Sequence, residues 1–144
     1  MPFESPDYLA SLQSCVEGYC GAYARTVLRA PQVFAFYSAL YGDDRLDDEA
    51  RDLVKAVLAY FVVPRDVMPE EELGPYGLLD DLFLAAHVYR LLDRLGLPGD
   101  LLPGAWSGED ELETAMDEIY ADSRAAVGHQ RKDVLRMAGL GHHD

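Results

Sequence analysis

The sequence predicts an all-α fold, and three observations carry that expectation. Apolar residues recur at steps of three and four through most of the chain. No stretch alternates as a half-buried strand does, and no internal repeat is visible. Serine, aspartate, proline and glycine stand where helices would start and stop. At 144 residues the chain fits one domain, 1–144, built as a bundle of about five or six helices, with a frayed tail over 139–144.

Ser5-Pro6-Asp7 is a strong helix start, with a serine cap and proline at the first position. Tyr8, Leu12, Cys15, Tyr19, Tyr23 and Val27 share one face, so the first helix is expected from Pro6 to about Leu28. Gly18 and Gly21 lie inside it, where they would permit close packing. Pro31 separates a short buried helix, Gln32–Tyr41, which Gly42 ends. In the acidic stretch that follows, Asp47 or Asp48 caps a helix running to Val62, with Leu53, Val54, Val57, Leu58 and Phe61 inward.

A fourth helix is expected from about Leu78 to Leu95. Its main stripe is Leu78, Leu82, Ala85, Tyr89 and Leu92, and Gly96 stops it. The longest loop is 97–108. Its Leu101, Leu102 and Trp106 either cover an edge of the core or form an exposed partner surface. Ser107 with Asp110 starts the last long helix, along which Leu112, Ala115, Met116, Ile119, Tyr120, Ser123 and Val127 line one side. Gly128 kinks it, and Val134, Leu135 and Met137 continue it to Gly139.

The stretch from Tyr60 to Asp81 stands apart. Pro64 ends the apolar run Ala56–Val63, because proline lacks the N–H and its ring clashes with the preceding turn. Pro69 and Pro75 follow, and Gly74-Pro75-Tyr76-Gly77 reads as a turn. A stiff proline-rich elbow between two core helices would bring Asp66 toward Asp80 and Asp81, which fall in the first turn of the next helix.

Tyr60, Pro64, Asp66, Pro69, Gly77, Asp80 and Asp81 resemble the signature of the YkvA-like family, a bacterial domain of unknown function, and Lys55 resembles a basic residue common just before it. The resemblance covers about 53–92. Val63 stands where the family usually has serine, Glu70 where aspartate is usual, and the linker to Gly77 is about one residue longer than the family's. The resemblance implies a helical fold and a preferred site, without an activity.

Charge bounds the partners. Lys plus Arg is 12 and Asp plus Glu is 26, a net charge of 12 − 26 = −14. Such a balance argues against nucleic acid, whose backbone is held by basic residues, and against docking on an anionic membrane. It suits a basic protein partner or cations. The run Ala56–Val63 is far short of the roughly 20 residues that span a bilayer. The opening MPFESPDYL has no basic region of a secretory leader, and Cys15 and Cys20 are poorly placed to bridge, so a cytoplasmic chain with reduced thiols is expected.

Asp66, Asp80 and Asp81 are the candidate metal ligands, since clustered carboxylates repel unless a cation, a base or a proton intervenes, and Mg²⁺ or Ca²⁺ takes such oxygen ligands. Lys55 and Arg65 are the alternative partners that would make the acids purely structural. His87 lies seven residues past Asp80 on the same side of the helix, as a metal ligand, proton shuttle or boundary residue. His142 and His143 with Asp144 resemble a metal-binding tail but sit at the terminus. The catalytic motifs sought, from a nucleophile elbow to a phosphate-cradling glycine loop, do not appear. The sequence therefore leans away from an enzyme, toward a helical module that binds a protein or itself. The alternatives are a divalent-cation or hydrolase-like site and an acidic decoy of nucleic acid.

Overall fold

A helix that is apolar on nearly all sides belongs inside a fold. LDDLFLAAHVY, from Leu79, is such a sequence, and each residue from Leu79 to Ala86 is buried. The computed structural model describes residues 6–62 and 74–141, with side chains from residue 8. Its helices are α1 (Pro6–Val16), α2 (Ala24–Leu28), α3 (Ala30–Tyr41), α4 (Asp48–Val62), α5 (Leu79–Asp93), α6 (Leu101–Ala105), α7 (Leu112–Val127) and α8 (Arg131–Met137). Short 3₁₀ turns at Gly74–Leu78 and Gly128–Gln130 lead into α5 and α8. No strand occurs among the described residues.

α5 is the axis of the bundle. It packs against α4 and α7, and also reaches α2, α3 and α8. The expected stripe on this helix is therefore too narrow, since Leu79, Asp80, Asp81, Phe83, Leu84, Ala86 and Val88 are buried as well. Tyr37 of α3 is fully buried, and its hydroxyl donates to the Ala85 carbonyl at 2.5 Å; burial raises its pKa well above the usual tyrosine value. Phe34 meets Tyr8 and Phe61 at ring separations of 4.8 and 5.6 Å, which seats α1 and α4 around α3.

α4 runs over the expected residues, and the Asp47 carboxylate accepts the Ala50 N–H at 2.9 Å as its cap. The expected first helix is divided. α1 stops at Val16, because Gly18 (φ 77°) and Tyr23 (φ 57°) adopt left-handed backbone that a continuous helix excludes. α7 starts at Leu112 rather than near Ser107, for Trp106 is extended and its indole N–H donates to the Asp110 carbonyl at 2.8 Å, holding 106–110 as a loop. These breaks give more helical elements than the five or six expected.

Leu101 and Leu102 are buried, and Trp106 is half-buried with its ring edge-on to Phe36 at 6.0 Å. Of the two readings of that loop, core cover holds. Gly74–Leu78 is a 3₁₀ helix rather than an isolated turn. Pro64, Arg65, Asp66, Pro69 and Glu70 of the elbow lie outside the described residues, as do His142, His143 and Asp144.

Candidate functional site

The signature residues that can be placed converge where α4 ends and α5 begins. Leu79 is the first residue of α5, so Asp80 and Asp81 occupy its second and third positions, where the positive end of the helix dipole favours acids. Both are 0% exposed. Aspartate is rarely buried so completely, and a carboxylate in a core needs donors. The Tyr60 hydroxyl, from the last turn of α4, donates to Asp80 Oδ2 at 3.0 Å, and the Asp81 backbone N–H donates to Asp80 Oδ1 at 2.9 Å. Tyr8 donates to the Phe61 carbonyl at 2.6 Å, one residue from Tyr60, so α1 braces the same corner.

Tyr60, Gly77, Asp80 and Asp81 are thus brought into one buried corner. Lys55 is not: it is exposed on α4, makes no ion pair among the described residues, and is no partner for enclosed carboxylates. His87 is half-buried two turns along α5, its ring 6.0 Å from that of Phe83. Among the described residues no group of three or more His, Cys, Asp or Glu is arranged to hold a metal ion. Asp80 and Asp81 line none of the described surface depressions, and each Asp80 oxygen accepts one of these two hydrogen bonds.

A second feature was not singled out by sequence reasoning. A groove of about 480 Å³ opens between the C-terminal half of α5, the 96–103 segment and the start of α7. Leu92, Leu97, Leu102 and Leu112 contribute its apolar lining, and Asp93, Glu111 and Glu113 its charge; no lysine or arginine lines it. Tyr89 stands in its wall, and partial burial followed by the nearby Asp93, Glu113, Asp117 and Glu111 carboxylates raises its pKa above the usual 10.0. Asp93 ends α5, where the negative pole of the dipole makes a carboxylate unfavourable. The signal that could have found it is Asp93 at a helix end, together with Glu111 and Glu113 at the start of another.

No helix among the described residues is long and apolar enough to cross a membrane. The family described as "Protein of unknown function (DUF1232)" matches residues 53–86, the α4–α5 corner just described. Over 123 residues the chain is 32% identical to "Uncharacterized protein ORF9" of Methanothermobacter thermautotrophicus, a match spanning 85% of this chain and 83% of that protein. A second match is 24% identical over 159 residues to "Elongation factor G 2" of Shewanella denitrificans, covering 95% of this chain and 23% of that protein. No solved structure matches.

Proposed function

The chain belongs to the DUF1232 family, a family of unknown function, and from its surface we propose that it is a protein-docking module whose groove takes a basic, partly apolar segment of another protein. The observation that carries this reading is the groove's composition: a leucine floor, three lining carboxylates and no lining cation. Rim charges of one sign steer a partner of the other sign and reject their own. A basic segment of another protein meets these carboxylates with opposite charge, and it is the occupant proposed. The enclosed Asp80–Tyr60 corner serves this module as a brace between α4 and α5.

Two finer statements belong to the same proposal. Tyr60, Gly77, Asp80 and Asp81 support the narrower YkvA-like kinship, and the exposed Cys15 and Cys20 thiols support residence in the cytoplasm.

Trp106, the single tryptophan, reports from the segment beside the groove. Its fluorescence is titrated with a synthetic amphipathic lysine–leucine peptide that lacks aromatic residues. Binding that weakens as salt is raised is expected, and Asp93→Asn with Glu113→Gln should weaken it about tenfold. A glutamate–leucine peptide of the same length should leave the signal unchanged. Equal affinity in wild type and variant, or no binding by either, refutes the groove as the docking site.

A further inference from the structure

In a chain of net charge −14, most arginines that can be placed meet an acid or a backbone carbonyl. Arg29 and Arg45 bind carboxylates, and Arg51 donates to carbonyls of the 41–46 loop. Arg90 and Arg124 instead meet the Tyr120 ring, and Arg131 gives one N–H to a carbonyl of its own turn. None forms an ion pair among the described residues, yet all three line one open depression of about 610 Å³ that no carboxylate lines.

Their placement follows from the antiparallel pairing of α5 with α7. Phe83 of α5 stacks on Tyr120 of α7 at 5.9 Å, while Leu92 and Leu112 line the groove at the other end of the same pair. Two turns past Phe83, Arg90 lies over the Tyr120 ring, its Cζ 3.7 Å from the centroid. Arg124, one turn past Tyr120, has its Cζ 5.9 Å from the same centroid. Arg131, at the start of α8, gives Nε–H to the Gly128 carbonyl at 3.0 Å, which holds its guanidinium and leaves the two terminal nitrogens outside that bond. With Phe83 stacked on it and Arg90 over its ring, Tyr120 is a post that orients cations rather than a free stacking platform.

We infer that Arg90, Arg124 and Arg131, gathered around Tyr120 at the corner of α5, α7 and α8, form a binding site for a small phosphate-class dianion. Guanidinium forks match the geometry of phosphate oxygens and donate two hydrogen bonds at a time. Three full positive charges outweigh the roughly half charge of the C-terminal pole of α7 nearby. The carboxylates elsewhere matter little, because at physiological salt their field is screened over about 8 Å. Polyanions remain excluded by the overall charge, whereas an anion of a few ångströms meets only the local cations.

The test replaces chloride by inorganic phosphate at constant ionic strength and follows the Tm of the full chain. At about ten times the dissociation constant the wild-type Tm is expected to rise by about 3–5 °C. Arg124→Gln with Arg131→Gln should lose most of that rise, which separates binding from the general stabilisation that phosphate gives any protein. An equal rise in both proteins overturns the site, as does an equal rise with acetate, a monoanion. If the double variant fails to fold, exposed Arg124 alone is changed to Gln and the ³¹P linewidth of glycerol phosphate is read; broadening that persists unchanged overturns the site. Vesicles of phosphatidylcholine with phosphatidic acid distinguish the source. Retention that depends on the same arginines assigns a lipid headgroup, soluble phosphate binding without retention assigns a free phosphate, and neither refutes the inference.

Discussion

Asp80 and Asp110 are both aspartates near the start of a long helix, and both accept hydrogen bonds from a side chain, yet they do different work. Asp80 is enclosed, with the Tyr60 hydroxyl and the Asp81 N–H on its oxygens. Asp110 is 46% exposed and meets the guanidinium of Arg29, which also donates to Glu118 at 3.0 Å. At Asp80 water cannot replace a lost donor, so each group is an obligation of the fold. At Asp110 water takes over. Here the buried partner is the arginine, whose side chain is 8% exposed and ties α2 and α3 to α7. The difference teaches that burial, more than residue type or motif, decides whether an acid is architecture.

The sharpest break of that comparison is Asp80→Ala. It removes a buried acceptor from the Tyr60 hydroxyl and the Asp81 N–H, and a loss of about 2–4 kcal/mol in urea unfolding is expected. Tyr60→Phe, which removes one donor and keeps the ring, should cost about 1–2 kcal/mol. A loss below about 0.5 kcal/mol for Asp80→Ala would mean that the corner is not a structural lock. The same variant decides the proposal of Mg²⁺ or Ca²⁺ at Asp66, Asp80 and Asp81. A cation-dependent rise in Tm present in wild type and absent in Asp80→Ala supports it, and no rise in wild type removes it.

Next in size is Arg29→Ala. It removes a buried stem with its two carboxylate contacts, but the acids left behind are partly exposed, at 46% and 31%. About 1–2 kcal/mol is expected from urea unfolding. Arg25, 72% exposed and 3.3 Å from Glu118, supplies part of the lost charge. A cost as large as that of Asp80→Ala would erase the distinction between the two acid sites.

How much of this was legible in the sequence depends on what sets each feature. α4 runs over the expected Asp48–Val62, and Asp47 caps it, because an acid before an amphipathic run fixes a helix start locally. The inner face of α7 was legible for the same reason: Leu112, Ala115, Met116, Ile119, Ser123 and Val127 are buried. The break after Val16 was not, since Tyr8 through Val27 keep a helical period straight across it. Only the left-handed backbone at Gly18 and Tyr23 shows that the period belongs to two helices. Asp80 and Asp81 drew notice as signature acids, but their enclosure depends on the helices packed against α5, which no local pattern states. The groove and the arginine corner are assembled from residues far apart in the chain, Arg90 with Arg124 and Asp93 with Glu111, so charge counting found the sum and missed the segregation.

The smallest effect belongs to an exposed cluster. Arg45 donates to Asp43 at 3.1 Å and to Asp100 at 3.0 Å, clipping the α3–α4 loop to the turn before α6. Hydrogen bonding to Arg45 is the leading cause that lowers the pKa of both aspartates below their ordinary 3.8, and it pushes the already high Arg45 pKa higher still. A folded-state pKa below the unfolded one favours the fold while the carboxylate is ionised. The contribution is therefore complete above pH 3.8 and is lost as pH falls through the lowered values. Arg45→Ala should lower Tm by no more than about 2 °C near neutral pH, because exposed pairs gain little against water. The gap between the two proteins should close as pH drops below 3.8, and also in about 1 M salt, where screening acts within about 3 Å. A gap that persists through both would place this cluster with Asp80, as a lock that solvent does not reach.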